Sequence, residues 1–555
     1  MDTPQETTPT IQKFHGTLPP RGLEATPSSS TDNGRFGRMF RHLPYSSPSD
    51  ESLADLGRAM IQELEIPFDE PLGKADEDEN VATLENGELR LPAGYTYFGQ
   101  FVDHDITFDP VSSLTRQNDP DGLKDFRTPR FDLDSLYGRG PADQPYLYEP
   151  DELRLALGRV VPGPAGTVGR DLLRRDEKRA IIGDPRNDEN LIVSQLQATM
   201  IQFHNRVLDK VGAEHPNLSR DEVFKLAQRT VRWHYQWVVV HDFLERLVGK
   251  EVVDDVLRPE EFVTPRGGTG SRPVYRGRFY HWENEPYMPV EFSVAAYRFG
   301  HSMARPSYLV NEVAETFPAL EGVNRIRLFL PGPQEEGQEQ QSLNGFRRLP
   351  DNWAVQWRFL LPGIKDGSEP QAGLPQPSYR LDAQLAVPLG ELPDSVANPN
   401  PFGPGPFEEL AKVLAARNLF RGKRLGLPSG QDVALAMGIP PLSDDELFAG
   451  VDVSPETRED LAGRAPLWFY VLKEAEVQAG SEHLGAVGGR IVAEVLIGLL
   501  AGDPLSFLGV QPNWRPAAEA SPLPARTEGQ FTLSDIVNFA IPAPDAPPPP
   551  PPYGG

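Results

Sequence analysis

The sequence contains no cysteine, and this absence removes several classes of functional site at once. Disulfides, zinc–thiolate sites, iron–sulfur clusters, thiolate-ligated haem and cysteine nucleophiles all require a thiol group. Any metal chemistry must therefore use carboxylates and histidine, and the 555-residue chain has only 10 histidines.

Basic residues are few relative to acidic residues. The chain has 54 Lys+Arg against 80 Asp+Glu, a formal net charge of −26, which repels nucleic acid phosphates and anionic membrane surfaces. There is no apolar run of transmembrane length, and the first residues lack the basic and apolar regions of a cleavable signal peptide. We expect a soluble protein that binds no nucleic acid and is cytoplasmic, or extracellular by a route without a cleavable signal peptide.

Segments with strand-like alternation are also few, whereas proline and glycine are abundant, at 58 and 50 residues. Apolar residues recur mainly at helical spacing, which predicts a mainly α fold: one large helical domain with long loops and little β structure. We expect an N-terminal extension over residues 1–90 that wraps or caps the core, a core domain over 91–540, and a disordered proline-rich tail over 541–555 that could bind a partner. The predicted elements are a long helix from Pro185, helices at 220–247, 289–303, 407–419, 432–437 and 487–501, and a strand at 325–330.

The segment 99–107, GQFVDHDIT, places His104 between Asp103 and Asp105 in an otherwise apolar stretch. If the segment is helical, Gln100 and His104 lie one turn apart on the same face, and each aspartate lies about 100° away around the helix. An imidazole and an amide would then face a pocket while Asp105 faces a second site. The His-Asp pair of a metal-dependent phosphohydrolase and a surface helix with acidic caps are alternatives for this segment alone.

A second candidate site follows in the segment TPRFDLDSLYG. Thr128, Asp132 and Asp134 are separated by multiples of two residues, so an extended loop would point their oxygens to one side. Hard oxygen ligands at this density suit Ca²⁺, together with Asp105 and a main-chain carbonyl such as that of Arg130. The loop lacks the glycine and closing glutamate of an EF-hand. An Asx-turn loop with solvated acids is the alternative.

Arg186 and His301 are further candidates. Arg186 lies near the start of a predicted helix, where the helix dipole disfavours a cation, so we expect it to serve an anionic or polarised group. An ion pair with Glu189, three residues further on, is the ordinary alternative. His301 ends an apolar segment beside Gly300. It is either a hydrogen-bonded core histidine or an axial ligand, with Gly300 admitting a flat cofactor.

Taken in order, six segments of the chain resemble the animal-type haem peroxidases of the peroxidase–cyclooxygenase superfamily, in the branch found in bacteria. The resemblance extends from about residue 94 to past residue 501. It implies a haem b enzyme that reduces H₂O₂ through a ferryl intermediate and oxidises halide, phenolic or other small donors. The segments are GQFVDHDIT, TPRFDLDSLYG, GDPRNDEN, AAYRFGHSM, ARNLFRGKRLGLPSGQ, and PLWFYVLKEAE leading into GGRIVAEVLIGLL.

The resemblance also implies roles for individual residues. His104 becomes the distal base, Gln100 its neighbour in the pocket, and Arg186 the distal cation. His301 becomes the proximal iron ligand, and Asn418 is expected to accept its other ring N–H.

Other roles implied by the resemblance concern the periphery of the haem. Asp103 and Glu189 fall where mammalian members form ester bonds with haem methyl groups, so ester-linked haem is a hypothesis. Asn190 stands where myeloperoxidase has the methionine of its sulfonium link, so this third bond is not expected. The remaining implied contacts are the haem propionates for Arg298 and Arg421, and Ca²⁺ for Asp105, Thr128, Arg130 through its carbonyl, Asp132 and Asp134.

Two other functions are alternatives. Fatty-acid dioxygenases of the same superfamily carry a tyrosine three residues before the proximal histidine. Here that position is Arg298, with Tyr297 one residue further away, which favours a peroxidase. His281, in a Tyr-His-Trp triplet, is interpreted as packing unless it binds the iron itself. A non-catalytic haem- and calcium-binding structural protein would need neither His104 nor Arg186.

Overall fold

A computed structural model describes residues 34–62, 78–109, 114–163, 168–176, 178–263, 269–312, 325–329, 342–367, 374–394, 401–402 and 405–542. These residues form a mainly helical fold around one contiguous hydrophobic core, which confirms the predicted fold class. The α-helices span Asp50–Ala59, Gly94–Ile106, Asp134–Tyr137, Leu191–Glu214, Arg220–Val238, Glu245–Val248, Lys250–Val256, Leu414–Arg424, Gly430–Met437, Asp444–Leu447, Pro455–Leu461, Leu467–Ala479, Ala486–Gly502, Phe507–Val510 and Leu533–Ala540.

The β structure consists of short strands in small sheets. The longest strands, Leu257–Val263 and Thr269–Tyr275, form an antiparallel pair. The strand predicted at 325–330 is only Ile326–Arg327, paired with Ser307–Tyr308. The other strands are Gly34–Gly37, Lys124–Asp125, Val160–Pro162, Val168–Arg170, Arg174–Arg175, Arg179–Ala180 and Met288–Pro289.

The described part of the predicted N-terminal extension packs on the core. Gly34–Gly37 lies between Lys124–Asp125 and Met288–Pro289 in a three-stranded sheet. The main-chain N–H groups of Met39 and Phe40 both donate to the buried carboxylate of Glu291 at 3.0 Å. Residues 1–33 and 63–77 and most of the proline-rich tail, 543–555, lie outside the described residues, so the domain boundaries stay predictions.

The helix Gly94–Ile106, called the His104 helix below, has two different faces. Phe98 and Phe101 are buried and each packs edge-on against Tyr235, with ring centroids 6.1 Å apart in both pairs. This packing fixes the rotation of the helix and turns Gln100, Asp103 and His104 toward a cavity. The helical prediction for this segment, with Gln100 and His104 on one face, is therefore confirmed.

The segment 289–303, called the His301 segment below, is not the regular helix predicted from its apolar spacing. Glu291–Ala295 forms a π-turn and Ala296–His301 a 3₁₀-turn, and the backbone breaks at Ala295 with φ −127° and ψ −79°. Within it, Nε of Arg298 donates to the main-chain carbonyl of Ser293 at 3.1 Å. Apolar periodicity predicts which face is buried, whereas such π-turns are local departures that often mark functional sites.

The helix predicted to start at Pro185 is divided in two. Pro185–Asp188 is a 3₁₀-turn, capped by the side chain of Asp184, which accepts a hydrogen bond from the main-chain N of Arg186. The long helix Leu191–Glu214 begins later, because the side chain of Asn190 accepts a hydrogen bond from the main-chain N of Ile192. Among the described helices, none combines the length and apolar character needed to cross a membrane.

Candidate active site

Two adjoining cavities, each about 230 Å³, lie between the His104 helix and the His301 segment. The first, called the histidine cavity, is lined by Gln100, His104, Glu189 and Tyr297 among others. The second, the arginine cavity, is lined by Arg186, Arg417, Asn418 and Arg421 among others. Asp103, Arg298 and His301 line both cavities. The structure therefore brings together all the residues that the resemblance assigns to haem and peroxide chemistry.

His104 is buried beside polar partners. Its Nδ1 lies 2.7 Å from Oδ1 of Asn187, and its Nε2 lies 3.8 Å from a carboxylate oxygen of Glu189. Burial and the nearby charge of Arg186 lower the pKa of His104 to about 3. The imidazole is therefore neutral at ordinary pH, which is the state that a proton-accepting base requires.

Two carboxyl groups flank His104 in the histidine cavity. Gln100 donates a side-chain N–H to the carboxylate of Glu189, and burial raises the pKa of Glu189 to about 7. The hydroxyl of Thr107 donates to Asp103 at 3.0 Å, and burial raises the pKa of Asp103 as well. Both groups thus line the histidine cavity together with His104.

Arg186 lies close to His104 but is oriented differently from the expected distal cation. Its guanidinium pairs with Asp184 at 2.8 Å and donates to the main-chain carbonyls of His104 and Thr107 at 3.1 and 2.6 Å. Among the described residues its ion-pair partner is Asp184, so the alternative of a direct ion pair with Glu189 is wrong. In this geometry Arg186 acts on His104 through its charge, which lowers the pKa of the imidazole.

His301 and Asn418 are in direct contact, but the polarity of the contact is the opposite of the one expected. Nδ2 of Asn418 lies 2.8 Å from Nδ1 of His301. Oδ1 of Asn418 is turned away and accepts a hydrogen bond from Nη1 of Arg298 at 2.8 Å. A guanidinium can only donate, so it attracts the amide oxygen and leaves the amide NH₂ facing the histidine. The expectation that Asn418 accepts from His301 is therefore wrong for this geometry.

The arginine cavity concentrates positive charge. Burial, together with Arg421 and Arg417, lowers the pKa of Arg298 to about 10. Arg421 also pairs with Asp109 at 3.3 Å. Four arginines line this cavity, namely Arg186, Arg298, Arg417 and Arg421, and this concentration of guanidinium groups favours an anionic ligand. Sequence reasoning missed Arg417, although its position four residues before Arg421 places both on one helix face.

Gly300 lies beside open space. No atom of the described residues lies within 4 Å of the position that a Cβ on Gly300 would take. His301, next in the chain, thus lies at the edge of accessible volume. His281 is exposed, and its Nε2 lies 3.0 Å from the main-chain carbonyl of Arg278.

A carboxylate cluster lies on the other side of the His104 helix. Asp105, Asp132 and Asp134 are all buried, and each offers an oxygen within 4.8 Å of the others. The hydroxyl of Thr128 donates to Asp132 at 2.8 Å. Arg127, which sequence reasoning missed, approaches Asp134 at 3.3 Å. Three buried carboxylates at this separation repel one another, so the cluster favours a bound cation.

Comparisons with known proteins support the resemblance. Residues 120–331 match the family model of the animal haem peroxidases. This segment contains Arg186, Glu189 and His301, begins after His104 and ends before Asn418. Chorion peroxidase of Drosophila melanogaster is 25% identical over 329 residues, which are 58% of this chain and 34% of that protein. Dual oxidase 1 of Rattus norvegicus is 24% identical over 336 residues, 59% of this chain and 18% of that protein.

The fold is shared with solved structures of a peroxidase and of a fatty acid dioxygenase. Peroxidase A from Dictyostelium discoideum aligns with a TM-score of 0.55 and 15% identity, over 95% of this chain and 98% of that chain. The fatty acid alpha-dioxygenase of Oryza sativa aligns with a TM-score of 0.52 and 18% identity, over 86% of this chain and 76% of that chain. The fold is therefore the helical peroxidase–cyclooxygenase fold.

Within that fold, residues 120–331 match the animal haem peroxidase family, in agreement with the resemblance found in the motifs. The matching family is one of haem-dependent peroxidases. The chain spans about a third or less of the length of the two curated relatives described above.

Proposed function

We propose that this protein is a haem peroxidase that reduces H₂O₂ and oxidises a small donor. The observation that carries the proposal is that His104 and His301, from different parts of the chain, line one cavity. His104 is a neutral base there, and His301 adjoins open space at Gly300.

The residues of the two cavities fit haem b. His301 would provide a nitrogen ligand to the iron, while Arg298 and Arg421 would hold the two propionates, with Arg417 as a third cation. The excess positive charge of the arginine cavity supports this fit, since two carboxylates would neutralise it. When bound, haem supplies the redox equivalents for peroxide reduction and donor oxidation.

The protein contributes proton transfer and charge to this chemistry. His104 accepts a proton from H₂O₂ at Nε2 and returns it to the departing oxygen. Gln100, through its hydrogen bond to Glu189, keeps that carboxyl group beside Nε2. Burial and the charge of Arg186 keep the imidazole neutral, and Arg186 stabilises negative charge that develops nearby.

Two further features belong to this proposal. Asp103 and Glu189 would form ester bonds to haem, which their position at the cavity supports. Asp105, Asp132 and Asp134 would bind Ca²⁺ together with Thr128 and the carbonyl of Arg130, and this site would tie the His104 helix to the following loop.

A dioxygenase acting on a fatty acid is the second candidate. The position of Tyr297 supports this candidate. Its side chain lines the histidine cavity, and its hydroxyl lies 3.3 Å from the carbonyl of Gly99. Arg298, three residues before His301, is instead engaged with Asn418. Oxygen consumption with a long-chain fatty acid, in the absence of H₂O₂, would support the dioxygenase.

The test of the peroxidase proposal is a steady-state assay of the haem-loaded protein with H₂O₂ and a panel of halide, thiocyanate and phenolic donors. We expect H₂O₂-dependent turnover of at least one donor. His301→Ala should lose both turnover and the ligated Soret spectrum, whereas His281→Ala, the matched control, should keep both. Full activity of His301→Ala would contradict the assignment of His301 as the iron ligand.

A further inference from the structure

A chain of hydrogen bonds runs from His104 into the protein interior. Oδ1 of Asn187 lies 2.7 Å from Nδ1 of His104, and Nδ2 of Asn187 donates to Oε1 of Gln197 at 2.9 Å. Nε2 of Gln197 then donates to the main-chain carbonyl of Ser135 at 3.1 Å. All four residues are buried.

The last member of this chain sets the direction of every bond in it. The carbonyl of Ser135 can only accept, so Gln197 must present its NH₂ group there and its oxygen to Asn187. Asn187 must then present NH₂ to Gln197 and its oxygen to His104. The ring atom that faces this oxygen has to carry a proton, so Nδ1 of His104 is the N–H donor.

A neutral imidazole carries one ring proton. If that proton is on Nδ1, Nε2 has a free lone pair, and Nε2 is the ring nitrogen on the Glu189 side of the histidine cavity. The opposite tautomer would place Nδ1 and Oδ1 of Asn187, two acceptors, 2.7 Å apart in a buried site, which is costly.

We propose that Asn187 and Gln197 are positioning residues that fix His104 as the Nδ1–H tautomer and so keep Nε2 available to accept a proton from peroxide. The use of that lone pair rests on the proposed function, whereas the tautomer itself does not. Gln197 does not line the cavity. It orients the side-chain amide of Asn187, which in turn orients the imidazole of His104.

The carboxylate cluster also holds together the two backbone segments at the ends of this series of hydrogen bonds. Asp105 follows His104 directly, and Asp134 precedes Ser135 directly, and both belong to the cluster. In addition, the main-chain N of Leu133 donates to Asp105 at 3.2 Å. The same two backbone segments are thus held together by the cluster on one side and by the two amides on the other.

The experiment is ¹⁵N NMR of the full chain, free of cofactor and labelled at histidine. Loss of a signal in His104→Gln assigns the His104 ring, and its two-bond ¹H–¹⁵N correlations distinguish the tautomers. The variants are Asn187→Leu, Asn187→Asp and Gln197→Met. Gln195→Met is the matched control, because Gln195 is a buried glutamine of the same helix that bonds to the carbonyl of Arg170 instead.

We expect the Nδ1–H tautomer in the wild type, in Gln195→Met, and in Asn187→Asp, which keeps an acceptor oxygen. Asn187→Leu and Gln197→Met should show a substantial population of the Nε2–H tautomer. If Gln197→Met does not fold, the comparison of Asn187→Asp with Asn187→Leu is sufficient to test the proposal. An Nε2–H wild type, or an unchanged tautomer in Asn187→Leu and Gln197→Met, would overturn the proposal.

A second readout separates this proposal from the proposed function. In haem-loaded protein, the rate constant for reaction with H₂O₂ should fall roughly two- to tenfold in Gln197→Met, the range expected for one neutral hydrogen bond. A shifted tautomer with an unchanged rate constant would overturn the use of His104 as the peroxide base while the tautomer assignment stands.

Discussion

Arg298 holds Asn418 with its amide oxygen turned away from His301. The bond from Nη1 of Arg298 to Oδ1 of Asn418 and the contact of Nδ2 with Nδ1 of His301 are both 2.8 Å long. Nδ1 of His301 therefore accepts, and Nε2 carries the ring proton of the neutral imidazole. Ligation of a metal through Nε2 requires the other tautomer, so Arg298 and the ligating ability of His301 are coupled through one amide.

Replacing this amide with a carboxylate should favour ligation. In Asn418→Asp the carboxylate can accept from both Arg298 and Nδ1–H of His301, leaving Nε2 free. We expect haem uptake, followed by stopped-flow absorbance of the Soret band, to be roughly tenfold faster than in Asn418→Leu. Uptake that is no faster in Asn418→Asp than in Asn418→Leu would show that this contact does not control ligation.

The pH dependence of the reaction with peroxide tests the environment of His104. Burial and Arg186 lower its pKa to about 3, so the imidazole stays neutral as pH falls from 8 to 5. The loss of rate due to protonation of His104 should therefore appear only as pH approaches 3. His104→Leu should bind haem but react ~10²–10⁴-fold more slowly. A loss of rate centred near 6.5 that is absent in His104→Leu would contradict the assigned environment.

Covalent attachment of haem is tested by extraction with acidified acetone after turnover with H₂O₂. If Asp103 and Glu189 form esters, haem remains with the polypeptide in the wild type and is released from the double variant Asp103→Asn, Glu189→Gln. Each single variant should retain haem through the other ester. Complete extraction of haem from the wild type would rule out the esters.

Calcium should stabilise the fold through the carboxylate cluster. A ligand that binds only the folded state contributes ~2.7 kcal/mol when its free concentration is 100 times its Kd. Chelation should therefore lower the Tm of the wild type, measured by calorimetry, and added Ca²⁺ should restore it. Asp132→Asn should lose this response, whereas Asp143→Asn, at an exposed residue, should keep it. An equal response in both variants would place the Ca²⁺ effect elsewhere.

Asp132→Asn offers a further check, because it removes one of three mutually repelling buried charges. In the presence of chelator its Tm should be at least equal to that of the wild type. A much lower Tm would indicate that Asp132 stabilises the fold through its hydrogen bond with Thr128 rather than through a cation.

The features predicted correctly from the sequence are those that depend on residues close together along the chain. The face of the His104 helix followed from helical periodicity, because Gln100 and His104 are four residues apart. The carboxylate cluster was predicted from the spacing of Asp132 and Asp134. The resemblance to the animal haem peroxidases followed from short motifs that keep their order along the chain.

The contacts that the sequence did not predict depend on tertiary geometry. Asn187 and Gln197 meet across a helix cap, and neither carries a signal that identifies its partner. The polarity of Asn418 was predicted incorrectly, because it is set by Arg298, 120 residues away in the chain. The irregular turn before His301 was predicted as a regular helix, since apolar periodicity does not report a change in residues per turn.

The most direct test of the peroxidase proposal is the absorption spectrum of the haem-loaded protein after mixing with H₂O₂. We predict a rapid change of the resting Soret band and its recovery when a donor is added, with the first step slowed ~10²–10⁴-fold in His104→Leu. A Soret band that does not change with H₂O₂, or that changes at the same rate in His104→Leu, would contradict the proposed chemistry.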